Sequence, residues 1–290
     1  MSATNANNGL AGSGHRYAMA AAAASLGPAS ALAEEFGGMT HLHLLNRLAQ
    51  EDAERLVPKL QRIADTVLGG KAAARVALNS SNPEALVPEV EAFLDAVGTV
   101  GHSDFATKSS GEFGAASLAQ HFVTSFPINF TSMAVPTVPY THPDHAPLKV
   151  LSGLLSAKYL HSEIREKGGA YGGGAMAGPG AFTYYSYRDP NNLETFSVYN
   201  ASTDWVLGEA VGQAEVDEAL LRVFQGVDAP VAPGYRGLRP FLSGGKLKYK
   251  TNPELKFKQI LPGITDADFA EHRSRLRAVK VTDVKDVAER

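Results

Sequence analysis

Residues 165–174 read REKGGAYGGG, and the fold turns on what this run of five glycines around one tyrosine does. Glycine has no Cβ, so it admits backbone conformations closed to other residues and lets another chain approach closely. Gly168-Gly169 makes a good helix C-cap, and on one reading the tract only stops a helix and starts an edge strand. On another, a strand near Tyr171 pairs with a bound peptide while Arg165 and Tyr171 point into the same cleft. A third reading, phosphate cradling, has the loose pattern Gly172-x-Gly174-x-x-Ala177 in its favour. The order of elements opposes it. Here the glycines follow a helix and lead into a strand, whereas a dinucleotide site needs strand before helix so that helix N–H groups meet the pyrophosphate.

Working outward, the segment before the glycines predicts a long helix ending near Lys167, with Asp144 as its N-cap and Pro147 in its first turn. Leu148, Leu151, Leu155 and Tyr159 form one apolar stripe, with Val150, Leu154 and Ile164 beside it. Beyond the glycines, residues 180–188 (GAFTYYSYR) read as a strand, Asp189-Pro190-Asn191-Asn192 as a turn, and the next segment as a helix through Thr195, Val198 and Trp205. Helices follow at 213–224 and, as a pair split by 279–281, over 266–290. A proline-rich loop at 228–233 and a lysine-rich strip at 246–258 lie between. Towards the N-terminus, 118–135 suggests one long or two short strands, 83–97 a helix and 74–79 a strand. Three helices are expected at 14–26, 28–36 and 40–67, the last broken near Ala49-Gln50. Residues 1–13 read as a disordered or truncated start. The change from helices alone to strand and helix alternating places a domain boundary near Gly69-Gly70.

Bulk properties exclude more than they assign. With 27 Lys and Arg against 30 Asp and Glu, the 290-residue chain carries a net charge of -3 and has no basic run to hold nucleic acid. It has no cysteine, which removes disulfides, thiolate zinc sites and cysteine nucleophiles together. None of its nine histidines begins H-x-x-E-H or H-E-x-x-H. His142 and His145, in HPDH, suit capping or surface roles better than a metal site, and His41 and His43 would face different sides of a helix. There is no G-x-S-x-G elbow to position a serine nucleophile, and no stretch long and apolar enough to span a bilayer. Tyr17–Ala33 imitates a secretory h-region behind Arg16, but Pro28 splits it and Glu34-Glu35-Phe36 continue a helical pattern.

Residues 161–206, HSEIREKGGAYGGG with FTYYSYRDPNNLETF and STDW, closely resemble the C-terminal half of the pitrilysin/insulinase family of zinc metallopeptidases. SGHRYAMAAAAASLGPASALAEEFGG (13–38), DAPVAPGYRG (228–237) and ITDADFAEHRSRL (264–276) resemble it more weakly. The resemblance implies an α+β fold, an antiparallel sheet with helices packed on it. It implies residues 14–70 as the helical end of the family's third domain and 71–290 as its fourth domain, without a last strand. In this family two bowls close around a chamber for unfolded peptides, such as cleaved targeting peptides. The zinc cofactor and its H-x-x-E-H helix belong to the other, N-terminal half, so this chain is expected to hold no metal and to be inactive alone. Carried over by position, Arg165 and Tyr171 hold the scissile carbonyl and its oxyanion, and Gly168, Gly169 and Gly172 let substrate backbone pass. The implied partners are an unfolded peptide and the zinc-bearing half, with neither nucleic acid nor membrane. The implied location is the mitochondrial matrix or plastid stroma. A non-catalytic peptide-binding or structural subunit is the alternative the same family offers.

Overall fold

A computed structural model describes residues 3–68, 80, 82, 84–97, 119–227, 264 and 266–290. They fall in two compact units, one within 1–49, 110–229 and 267–290, the other within 50–109 and 230–266. The expected boundary near Gly69-Gly70 lies outside the described residues, as do the strand at 74–79, the proline-rich loop and the lysine strip. In the second unit α4 (Ala53–Leu68) and α5 (Val87–Val97) follow their apolar spacing. The predicted break near Ala49-Gln50 separates α4 from α3 (Met39–Leu48).

The first unit is an α+β domain built on a three-stranded antiparallel sheet in the order β1-β3-β2. The strands are β1 (Ser132–Pro136), β2 (Gly172–Gly178) and β3 (Ala181–Tyr187). Among the described residues of the 118–135 segment the one strand is Ser132–Pro136, which runs a residue beyond it, with Asn129 adding a single bridge to Asp189. The glycine tract stops a helix and starts an edge strand, as on the first reading. From Gly172 on it is a strand in register with β3, Gly172 opposite Tyr187 and Gly174 opposite Tyr185. β2 lies at the sheet edge, where Ser156 Oγ accepts from the Ala175 N–H at 2.8 Å and so occupies part of the surface a peptide strand would need.

Alternation along β3 divides the residues between two faces. Phe182, Tyr184 and Ser186 are buried with the helices, in a core that also holds Leu154, Leu155, Leu160, Ile164, Tyr199, Val206, Val216, Leu276 and Val284. These come from α6 (His145–Leu154) with its continuation, α7 (Leu193–Leu207), α8 (Gln213–Val227), α9 (Asp266–Ala278) and α10 (Val281–Glu289). Burying each such side chain contributes about 1.5–3 kcal/mol. Tyr185 and Tyr187 face the other way, where α1 (Ala3–Ala23) crosses the sheet.

Two expectations change. The long helix keeps α geometry only to Leu154; Leu155–Lys167 winds as a π-helix. The wider turn explains why Ile164 falls outside the α-spaced stripe. Buried Leu155, Tyr159, Leu160 and Ile164 recur at four to five residues, the spacing of π turns, and Ile164 is 2% exposed. Asp144 stands at the N-cap as expected, but its side chain makes no cap bond and its carboxylate accepts from Arg290 at 3.1 Å. At the N-terminus, the stretch expected to be disordered is helical from Ala3, with a kink at Ser13 (φ −143°, ψ 32°). Tertiary packing overrides its polar composition: Leu10 packs on Met39 and Leu42, and Asn7 Nδ2 donates to Asn46 Oδ1 at 3.0 Å. Helix α2 (Pro28–Gly37) opens on proline as read.

Candidate functional site

The glycines build a fixed corner between the π-helix and β2. Gly168 N–H donates to Glu163 O (3.0 Å), Gly169 N–H to Arg165 O (3.1 Å) and Ala170 N–H to Ile164 O (3.0 Å), which closes the helix in a Schellman-like end widened by one residue. Gly169 carries the reversal at φ +77°. A side chain there costs roughly 1–2 kcal/mol. The chain then enters β2 through Tyr171, whose N–H donates to Arg188 O at 3.2 Å.

A buried carboxylate anchors the other side of this corner. Asp189 is 0% exposed; its Oδ1 accepts from the Asn191 N–H at 2.9 Å and its Oδ2 from Thr195 Oγ1 at 2.7 Å, so it ties the turn to the first turn of α7. Asn191 Nδ2 reaches back to Gly168 O at 2.6 Å and ties the turn to the helix end. Asn129 exchanges main-chain bonds with Asp189, and its amide donates to the Asp189 and Asn191 carbonyls, each at 3.2 Å. Arg188, between Tyr187 and this anchor, sits at φ 49°, the one non-glycine residue with positive φ among the described residues. Such a conformation costs of order 1 kcal/mol and marks a position the surroundings impose.

On the outer face these supports carry a chain of rings and cations. The Arg165 guanidinium lies 5.9 Å from the centroid of the Tyr171 ring. Tyr171 meets Tyr187 edge to face at 5.4 Å and 81°. Tyr187 in turn meets His15 at 4.9 Å, Phe130 at 5.9 Å and the Arg188 guanidinium at 5.6 Å. His15 reaches Tyr187 because α1 passes tightly over the sheet: a Cβ on Gly14 would collide with the Phe130 ring. Burial, with Arg16 adding to it, lowers the His15 pKa and keeps the imidazole neutral, and its Nδ1 has no hydrogen-bond partner. Tyr171 remains 66% exposed at the end of this row.

Arg165 and Tyr171 therefore stand together, with Gly168 and Gly169 forming the corner behind them. Gly172 opens β2 with nothing within 4 Å of where its Cβ would be, so local packing does not require glycine there. His142 is a surface residue whose Nδ1 accepts from the Asp144 N–H at 3.1 Å. His145 is buried against Tyr140 and His272, with ring centroids at 5.1 and 5.0 Å. Among the described residues no group of three or more His, Asp or Glu side chains is placed to hold a metal ion. His15, Phe130, Tyr187, Arg188, Asp189 and Asn191 join the site only in three dimensions. The alternation along FTYYSYR contains the signal for Tyr185 and Tyr187; nothing local marks His15, which arrives from a distant helix.

A family model described as PreP C-terminal domain matches residues 121–290, more than half of the chain. The chain belongs to the presequence protease family. A second model, for a peptidase-associated domain, matches residues 1–48. Presequence protease, mitochondrial, of Danio rerio is 38% identical over 315 residues, covering 100% of this chain and 29% of its own length. The Xenopus laevis protein of the same name is 38% identical, with 88% of this chain and 28% of its own length covered. The Schizosaccharomyces pombe one is 33% identical, with 100% and 28% covered. The chain therefore spans under a third of the length of these curated presequence protease relatives.

Proposed function

We propose that this chain supplies much of the C-terminal, substrate-binding half of a presequence-protease-type zinc metalloendopeptidase. In this reading the complete enzyme degrades unfolded peptides, such as cleaved targeting peptides, within a closed chamber in mitochondria. The zinc-bearing N-terminal half is its partner. The observation that carries the reading is the Arg165–Tyr171 pair: an exposed phenol with a guanidinium 5.9 Å from its ring centroid, on a corner fixed by hydrogen bonds to Arg188 and Asn191.

The chemistry assigned to the pair follows from its groups. The Tyr171 hydroxyl donates to the scissile carbonyl oxygen, and the Arg165 guanidinium donates to the same oxygen as it becomes negative. The corner holds both before substrate arrives, so little reorganisation is needed when charge develops; one such donor is typically worth about 3 kcal/mol of barrier. Gly168, where a Cβ would lie 2.6 Å from the Ile164 carbonyl oxygen, and Gly169, at φ +77°, shape the corner that holds the pair. Among the described residues no helix is long and apolar enough to cross a membrane.

The test is reconstitution. The chain is mixed with a zinc-bearing N-terminal half of a relative, and cleavage of an unstructured peptide a few tens of residues long is followed. Tyr171→Phe and Arg165→Ala should each lower kcat/KM by roughly 10²–10³. Equal cleavage by wild type and both variants would overturn the assignment.

A further inference from the structure

The row of rings that begins at Arg165 ends on a second guanidinium. Arg165 stacks on Tyr171, Tyr171 meets Tyr187, and Arg188 stacks on Tyr187 at 5.6 Å. Among the described residues neither arginine has a carboxylate within ion-pair distance, in contrast to Arg222 with Glu218 or Arg290 with Asp144. The acid next in sequence does not neutralise Arg188, because the Asp189 carboxylate is fully buried and already accepts from Asn191 and Thr195.

Arg188 also holds its place at a conformational cost. It alone among the described non-glycine residues adopts positive φ, and the same residue's carbonyl receives the Tyr171 N–H. One backbone position thus fixes the main chain of Tyr171 and presents a cation beside it. A guanidinium is a planar fork whose paired N–H groups match a carboxylate, and stacking on a ring restricts it without using those donors.

We propose that Arg188 binds a carboxylate of the peptide, giving the site a second cationic contact beside Arg165. This rests on the reading of Arg165 and Tyr171 as a peptide-binding pair. The carboxylate comes from an acidic side chain or from the peptide's free C-terminus, and the two sources separate by experiment.

Binding of unstructured peptides labelled with BODIPY, a dye without a carboxylate, to this chain is measured by anisotropy at low salt. Four peptides share one sequence: Glu-containing or Glu→Gln, each with a free or amidated C-terminus. Arg188→Gly removes the guanidinium and suits φ 49°, so it preserves the corner; Arg188→Ala is the second variant, and urea midpoints check folding. Arg188→Gly should weaken binding about tenfold for peptides that carry the recognised carboxylate, and leave the peptide lacking both carboxylates unchanged. Loss of the effect on Glu→Gln alone identifies the side chain, and loss on amidation alone the terminus. An effect of equal size on all four peptides, or on none, overturns the proposal. Arg165→Ala separates the two claims: if it weakens all four peptides while Arg188→Gly discriminates among none, the pair stands and only the Arg188 assignment fails. If no peptide binds, both fail.

Discussion

The two faces of β3 use the same residue types for opposite ends. On the inner face Tyr184 is buried and its hydroxyl pairs with Ser202 at 2.9 Å, while Thr131 Oγ1 joins Ser186 (2.8 Å) and Tyr199 (2.9 Å) in a second buried cluster. Burial raises the pKa of both tyrosines and keeps the phenols neutral, since a phenolate there would lose its hydration. On the outer face Tyr187 and Tyr171 keep their rings in contact and Tyr171 is left 66% exposed, with cations and not hydroxyls as neighbours. A buried, satisfied hydroxyl stabilises one packing; an exposed phenol held by its ring has its hydroxyl free for a ligand. Buried, satisfied phenols and the candidate site are separated by one residue of alternation.

The largest expected effect tests that separation on the strand itself. Phe182→Ala, on the inner face, should lower stability by about 3–5 kcal/mol, whereas Tyr187→Ala should cost about 1–2 kcal/mol by urea unfolding. Equal losses would erase the distinction between the faces. Next comes the anchor between them: Asp189→Ala should cost about 2–3 kcal/mol, because the Asn191 N–H and Thr195 hydroxyl lose a buried acceptor. It should also change the Tyr171 ring signals by NMR, which an inner-face substitution such as Val206→Ala should not.

A third effect depends on pH. Burial, then the neighbouring His272 and Lys149, lowers the His145 pKa to about 4, and burial with Arg275 and Lys149 lowers that of His272. The unfolded chain takes up these protons first, so stability should be complete above about pH 6.5 and fall by of order 2 kcal/mol as pH drops towards 4. His145→Phe should flatten that slope; a slope unchanged by the substitution would locate the titration elsewhere. Smallest is Gly169→Ala, expected to cost about 1 kcal/mol through its positive φ, while Gly172→Ala, with open space at its Cβ, should cost less.

How much of this is legible in sequence follows from the range of the forces involved. The helix end at Gly168-Gly169, the strand at GAFTYYSYR and the break near Ala49-Gln50 are local signals, and each appears where its chemistry places it. The strand at Gly172–Gly178 is legible only as the edge strand expected after the helix stop; glycine has little strand preference of its own, and pairing with β3 fixes its register. The π winding is hidden because Ile164 looks misplaced only until the turn is widened. Arg165 and Tyr171 can be named from the tract, but Tyr187, Arg188 and Asp189 read only as strand and turn. His15 joins them across the sheet from α1, a contact no local pattern encodes.

The central claim is that Tyr171 and Arg165 act on one developing oxyanion, and a double-mutant cycle on kcat in the reconstituted enzyme tests it most directly. If both donate to the same oxygen, Tyr171→Phe and Arg165→Ala should each reduce kcat, and the double variant should lose far less than the product of the two losses, with urea midpoints unchanged. Losses that multiply independently, or a Tyr171→Phe enzyme with wild-type kcat, would contradict the account.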